Sequence, residues 1–137
     1  MSKHQVEEKV LEQAYAPHCE LWVYRLALES AERIFELSKR LPPEEQAALG
    51  IQILKSSRSV CANLAEAWAK RRYRKAFVAK LNEVEAEAAE TYTWIEIAVC
   101  CEYVTPEGGA KLLVRYNKIM GAIARLIQNA EAWVISS

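Results

Sequence analysis

Apolar residues recur at helical spacing in four long stretches of the chain, and none alternates between hairpin turns as strands require. From His18 to Leu41, residues Leu21, Tyr24, Leu28, Ala31 and Phe35 step by three and four, which places them on one helix face. Pro42 ends this stretch, because the residue before a proline avoids the helical region. The second stretch, Pro43 to Trp68, has Pro43 suited to a first helical turn and Glu44 and Glu45 near the positive end of the dipole. Its inner stripe is Leu49, Ile53, Ser57, Val60, Leu64 and Ala67, and Gly50, Ser56, Ser57, Ser59 and Ala62 suit close helix packing. The third, Tyr73 to Tyr103, carries Phe77, Leu81, Val84, Ala88, Thr91, Ile95 and Ala98 as a coiled-coil-like seam, with Trp94, Ile97, Cys101 and Val104 on a second face. Neither Pro nor Gly marks the break before it, near Ala69 to Arg72.

The fourth stretch opens with Thr105 as N-cap and Pro106 at the first helical position. Gly108 and Gly109 predict a loose first turn. Leu113, Tyr116, Met120, Ile123, Ile127, Ala130 and Val134 form one stripe, and Leu112, Ile119, Leu126 and Trp133 recur every seven residues beside it. Together these patterns predict an all-α fold: an up-down-up-down antiparallel four-helix bundle over residues 17–137, with a short N-terminal helical extension over 1–16 set off by Pro17. Each bundle helix needs one inner face, so the second stripes need cover. Trp94, Ile97, Leu112, Ile119, Leu126 and Trp133 are therefore candidates for an oligomer interface, with a homo-oligomer the simplest cover and a partner protein the other.

Composition narrows the class. Of 137 residues 52% are hydrophobic, with four Gly and four Pro, which fits one helical domain with a real core and excludes collagen-like and disordered chains. The opening residues 1–13 are too charged for a signal peptide. The longest apolar run, Ile97 to Cys101, is far short of the ~20 residues that span a bilayer. A cytoplasmic protein away from the membrane is expected. Cys19, Cys61, Cys100 and Cys101 form no CxxC pair and read as buried packing thiols.

Catalytic chemistry finds little to work with. Serines cluster at Ser56, Ser57 and Ser59, but the two histidines, His4 and His18, both lie near the start, so a Ser/His nucleophile is not expected. No phosphate-binding glycine loop and no zinc-protease motif occurs, and no metal or cofactor is expected. Asn63 and Glu66 are neighbours on one helix face. They fit a hydrogen-bond network that fixes register, or a subunit contact, better than a catalytic acid with its orienter. Glu83, Glu87 and Glu90 read as a solvated acidic face, since a di-iron bundle would need Glu-x-x-His pairs. The chain is expected to be non-enzymatic.

Charge changes the picture more. Eighteen basic and eighteen acidic side chains cancel, which argues at first against a nucleic-acid binder. The zero hides a layout. Lys70, Arg71, Arg72, Arg74, Lys75 and Lys80 fall between Glu66 and Glu83 with no acid among them, and an acid-rich stretch follows to Glu102. Tyr73 lies inside the cluster, where it could stack on a base. Lys55 and Arg58 add to the supply. Phosphates respond to this local field, so the seven residues Lys70, Arg71, Arg72, Tyr73, Arg74, Lys75 and Lys80 form a candidate nucleic-acid site.

Several runs carry a family resemblance. Residues 59–67, from Ser59 through Val60, Asn63, Leu64, Ala65 and Glu66 to Ala67, match the pattern S-[IV]-x-x-N-[IL]-A-E-[GA], with Ala67 where glycine is commonest. The runs at 20–27, 52–57, 74–81 and 87–95 match further segments, with Ala76 where an acid is commonest. On these the chain resembles the small bacterial four helix bundle proteins first noticed as reading frames in intervening sequences of 23S ribosomal RNA genes. The accessory variability determinant (Avd) of diversity-generating retroelements shares that superfamily. The resemblance implies Ser59, Asn63 and Glu66 as signature positions, a homopentamer around a central channel, and RNA, DNA or a reverse transcriptase as partners. The alternative is a protein-interaction module without a nucleic-acid role.

Overall fold

The computed structural model describes residues 2–6, 8, 17–18 and 21–135. The first long helix, α1, is Trp22–Ser38. Its buried face is Val23, Ala27, Ser30, Ile34 and Leu37, with Leu21 buried just before it. This corrects the stripe expected from sequence: Leu28 and Phe35 are 44% and 41% exposed. Both candidate faces of α1 are apolar, and the buried one includes a serine. Ser30 is cheap to bury because its hydroxyl donates to the Leu26 carbonyl at 2.6 Å.

Pro43–Glu45 begins the next helical stretch, a π-helical turn over Gln46–Gly50 follows, and α2 continues it over Ile51–Ala69. The amide of the Gln46 side chain reaches back to the Leu41 carbonyl at 3.0 Å and ties the entry turn together. Ile53, Ser56, Ser57, Val60, Leu64 and Ala67 are buried, as the sequence pattern predicts for all but Ser56. Helix α3, Arg74–Cys100, buries Phe77, Leu81, Val84, Ala88, Thr91, Ile95 and Ala98, the whole expected seam. Helix α4 is Pro106–Gln128, and a single-turn α5, Ala130–Trp133, follows it. The described residues contain no strand. Residues 3–6 and 8 are helical, while residues 1, 7 and 9–16 of the extension lie outside the described residues, as does Cys19.

The four long helices pack in a ring: α1 on α2 and α4, α2 on α3, and α3 on α4. Their directions alternate. Trp68 meets Phe77, Glu66 meets Lys80 and Ser56 meets Thr91, so α2 and α3 run in opposite senses. This is the all-α antiparallel bundle expected. The turn between α2 and α3 lies at one end, with the start of α1 and the segment up to Ile135; the turns at 39–50 and 101–105 lie at the other.

Two helix ends show how local chemistry sets the frame. At the start of α4, Thr105 Oγ1 accepts from the Gly108 amide at 3.1 Å, as its N-cap role predicts. The turn is not loose. Gly109 is buried against Val99, and a Cβ there would collide with Val99 Cγ2. At the end of α3, the Tyr103 amide bonds to the Ala98 carbonyl and the Glu102 amide to that of Val99. That pairing is a Schellman cap, and it holds Glu102 at φ 63°. An L side chain in that region costs roughly 1–2 kcal/mol, a strain glycine avoids. Glu102→Gly is therefore expected to stabilise the protein by about 1 kcal/mol. Urea unfolding of the two proteins checks it.

Candidate nucleic-acid interface

The basic cluster straddles the turn between α2 and α3. No proline or glycine makes that turn; tertiary contacts do. Arg71 folds back so that its Nε donates to the Trp68 carbonyl at 2.9 Å and its guanidinium lies 3.9 Å from the Trp68 ring centroid. The Arg71 carbonyl accepts from the Ile135 amide at 3.1 Å, which draws the C-terminal segment against the turn. Trp68 packs on Trp133 at 5.6 Å and edge-on to Phe77 at 6.3 Å. The helix break is thus set by residues far apart in the chain, which is why its place is only loosely marked in sequence.

This arrangement sorts the seven expected contact residues. Arg71 is 6% exposed and serves the fold, so it is corrected out of the surface set. Arg74 pairs with Glu131 of α5. Lys80 is held by carboxylates: its Nζ lies 2.7 Å from Glu66 and 3.0 Å from Glu83, and donates to Asn63 Oδ1 at 3.2 Å. These bonds raise the Lys80 pKa, Glu66 first among the causes, and the same bond lowers that of Glu66. A phosphate at Lys80 would have to displace two carboxylates. Lys70, Arg72, Tyr73 and Lys75 remain at the surface, with Tyr73 70% exposed. Among the described residues no salt bridge holds Lys70, Arg72 or Lys75.

The signature residues find their use in the same network. Asn63 Nδ2 donates to the Ser59 carbonyl at 2.9 Å, which aims Oδ1 at Lys80. Asn63 and Glu66 thus clasp a lysine from α3 and fix the register of α2 against it. Deeper in the same interface, Thr91 Oγ1 lies 2.8 Å from Ser56 Oγ. Glu87 sits against Glu90, and burial, then that neighbour, raises its pKa. No group of three or more metal-binding side chains occurs among the described residues.

The expected interface residues divide too. Leu112 and Ile119 are buried inside the chain itself, because the α4 seam runs Gly109, Leu112, Tyr116, Ile119 and Ile123; they have no surface to offer another copy. Leu126 and Trp133 are half-buried against that core, as is Trp94, whereas Ile97 is exposed. Among the described residues the exposed large apolar side chains are instead Trp22, Leu28, Phe35, Ile51, Tyr73 and Val114 in the main, with Ile97 and Val6.

The thiols depart from expectation as well. Cys61 is half-buried, and burial pushes its thiol up to about 11, whereas Cys100 and Cys101 are exposed at the end of α3 and are not packing residues. Only a thiolate is nucleophilic. Brief treatment of the native protein with iodoacetamide at neutral pH is expected to label Cys100 and Cys101 and to spare Cys61. Peptide mass mapping reads the result.

A second basic surface was missed in the sequence. Between Glu107 and Glu131 the chain holds no acid, while Lys111, Arg115, Lys118 and Arg125 recur along α4. The signal was present, but it is spread over four turns rather than gathered in a run.

A family model described as 23S rRNA-intervening sequence protein matches residues 19–125. The crystal structure of a protein with unknown function from the S23 ribosomal protein family of Bacteroides thetaiotaomicron VPI-5482 shares 34% sequence identity. The match covers 77% of this chain and 98% of that one, with a TM-score of 0.70. No curated protein matches. No helix among the described residues is long and apolar enough to cross a membrane.

Proposed function

The chain belongs to the 23S rRNA-intervening sequence protein family, and we propose that it acts as a non-enzymatic, homo-oligomeric scaffold that binds nucleic acid through one basic end. The observation that carries the reading is the α2–α3 turn, where Lys70, Arg72, Tyr73 and Lys75 are exposed together. A cation with no paired carboxylate releases phosphate counterions at little cost to the protein. Tyr73 adds an aromatic face at the same spot. Repetition of that end around an oligomer, a homopentamer by family resemblance, multiplies the local field.

Fluorescence anisotropy of labelled RNA at two salt concentrations tests this. The K70Q/R72Q/K75Q variant is expected to bind at least about ten-fold more weakly, with a salt slope shallower by about 2 for single-stranded RNA. Unchanged affinity and slope would reject the basic-end mechanism. A stoichiometric protein partner recovered without nucleic acid would favour the interaction-module reading.

A further inference from the structure

Helices α1 and α4 leave a groove of about 940 Å³ along the side of the bundle. A neighbouring hollow of about 540 Å³ shares Val114 and Lys118 with it and is walled by Trp22 and Arg125. The two form one path toward the end that holds the α2–α3 turn. Its α4 wall carries Lys111, Arg115 and Lys118, then Arg125, with no acid between them. At 1.5 Å per residue this row is about 21 Å long. The α1 wall adds Arg33 and two acids, Glu29 and Glu36. Both acids are engaged: Glu36 by Lys39 at 3.4 Å and Glu29 by Arg115 at 3.8 Å.

The Arg115 contact is too long for a hydrogen bond, and its Nη1 is buried without a hydrogen-bond partner. A buried guanidinium donor left open costs stability unless an anionic oxygen completes it. Trp22, at the far end of the row, is 52% exposed, an unusual state for the largest apolar side chain. A cationic track with an aromatic platform is the arrangement that holds unpaired strands, since phosphates follow the charges and a base stacks on the ring. A duplex hides its base faces and cannot use the platform.

We propose that the α1–α4 groove binds single-stranded nucleic acid, with its phosphates on Arg33, Lys111, Arg115, Lys118 and Arg125 and a base stacked on Trp22. This surface is separate from the α2–α3 turn, so the two can fail independently. The test compares a labelled oligouridylate with a duplex of equal length, titrated against wild type, K111Q/K118Q, W22A and the turn variant K70Q/R72Q/K75Q. Single strand is expected to bind more tightly than duplex. K111Q/K118Q should weaken single-strand binding at least about ten-fold and reduce the salt slope by about 1.4. W22A should weaken it about five-fold or more. All of these side chains are solvent-exposed, and circular dichroism should show each variant folded. Unchanged affinity in K111Q/K118Q, equal binding of duplex, or equal competition by polyglutamate would overturn the proposal. Loss in the turn variant alone would sink the groove and uphold the turn; loss in the groove variants alone would do the reverse.

Discussion

Phe77→Ala is expected to lower the unfolding free energy by about 3–5 kcal/mol, a large share of the roughly 5–15 kcal/mol that stabilises an ordinary domain. Phe77 has no exposed surface and stands edge-on to Trp68. Its loss leaves a cavity that rigid helices cannot collapse. The same Trp68 carries Arg71 on one face and Trp133 beside it, so the vacancy also loosens the clamp that shapes the α2–α3 turn. Denaturant unfolding followed by tryptophan fluorescence measures both effects, because the signal comes from the residues that move. Phe77→Leu keeps most of the volume and is expected to cost less than about 1.5 kcal/mol. If the alanine variant costs no more than the leucine one, Phe77 is not the packing centre of that end.

The second large effect concerns assembly. Leu28 and Phe35 lie two turns apart on the outward face of α1, and the Phe35 ring has Lys39 Nζ at 4.3 Å and the Arg58 guanidinium at 6.0 Å. An apolar face of this kind is costly to leave in water and is where we expect a second copy to dock. The L28E/F35E variant would place two carboxylates in that contact. Burying unpaired charges costs several kcal/mol each, so the homo-oligomer proposed above should give way to monomer in this variant. Size-exclusion chromatography with light scattering gives the answer. An unaltered mass would move the interface to Ile51, Ile97 or elsewhere. Helicity should stay unchanged, since neither side chain contributes to the core.

These variants also mark where sequence reading succeeds. On α2 and α3 one apolar seam runs the length of the helix, the second stripe of α3 being confined to its last turns, and Ile53, Val60, Leu64, Phe77, Leu81 and Ile95 are where the periodicity puts them. On α1 two apolar faces compete, and the choice turns on whether a serine hydroxyl can be satisfied by its own helix, which Ser30 achieves. Leu112 and Ile119 were legible as apolar but not as core, because Gly109 lets α4 sit close to Val99 and turns that seam inward. The basic cluster was legible as charge. Its division was not, since the acids that occupy Lys80 and Arg74 come from Glu66 and Glu131 across the fold. Arg71 was the furthest from legible: the neighbouring indole, the Trp68 carbonyl and the returning segment at Ile135 make it a structural residue.

The unbroken positive face of α4 carries a consequence for how copies can be arranged. Two molecules meeting α4 to α4 would set Lys111, Arg115, Lys118 and Arg125 against the same row in reverse, with no carboxylate on either helix between Glu107 and Glu131 to relieve them. Like charges opposed in this way cost several kcal/mol. Self-association through that side is thereby discouraged by the sequence itself. A closed ring joins unlike faces of neighbouring copies, so α4 can enter its seams only against a face of opposite charge, and otherwise each added copy brings one more cationic rail.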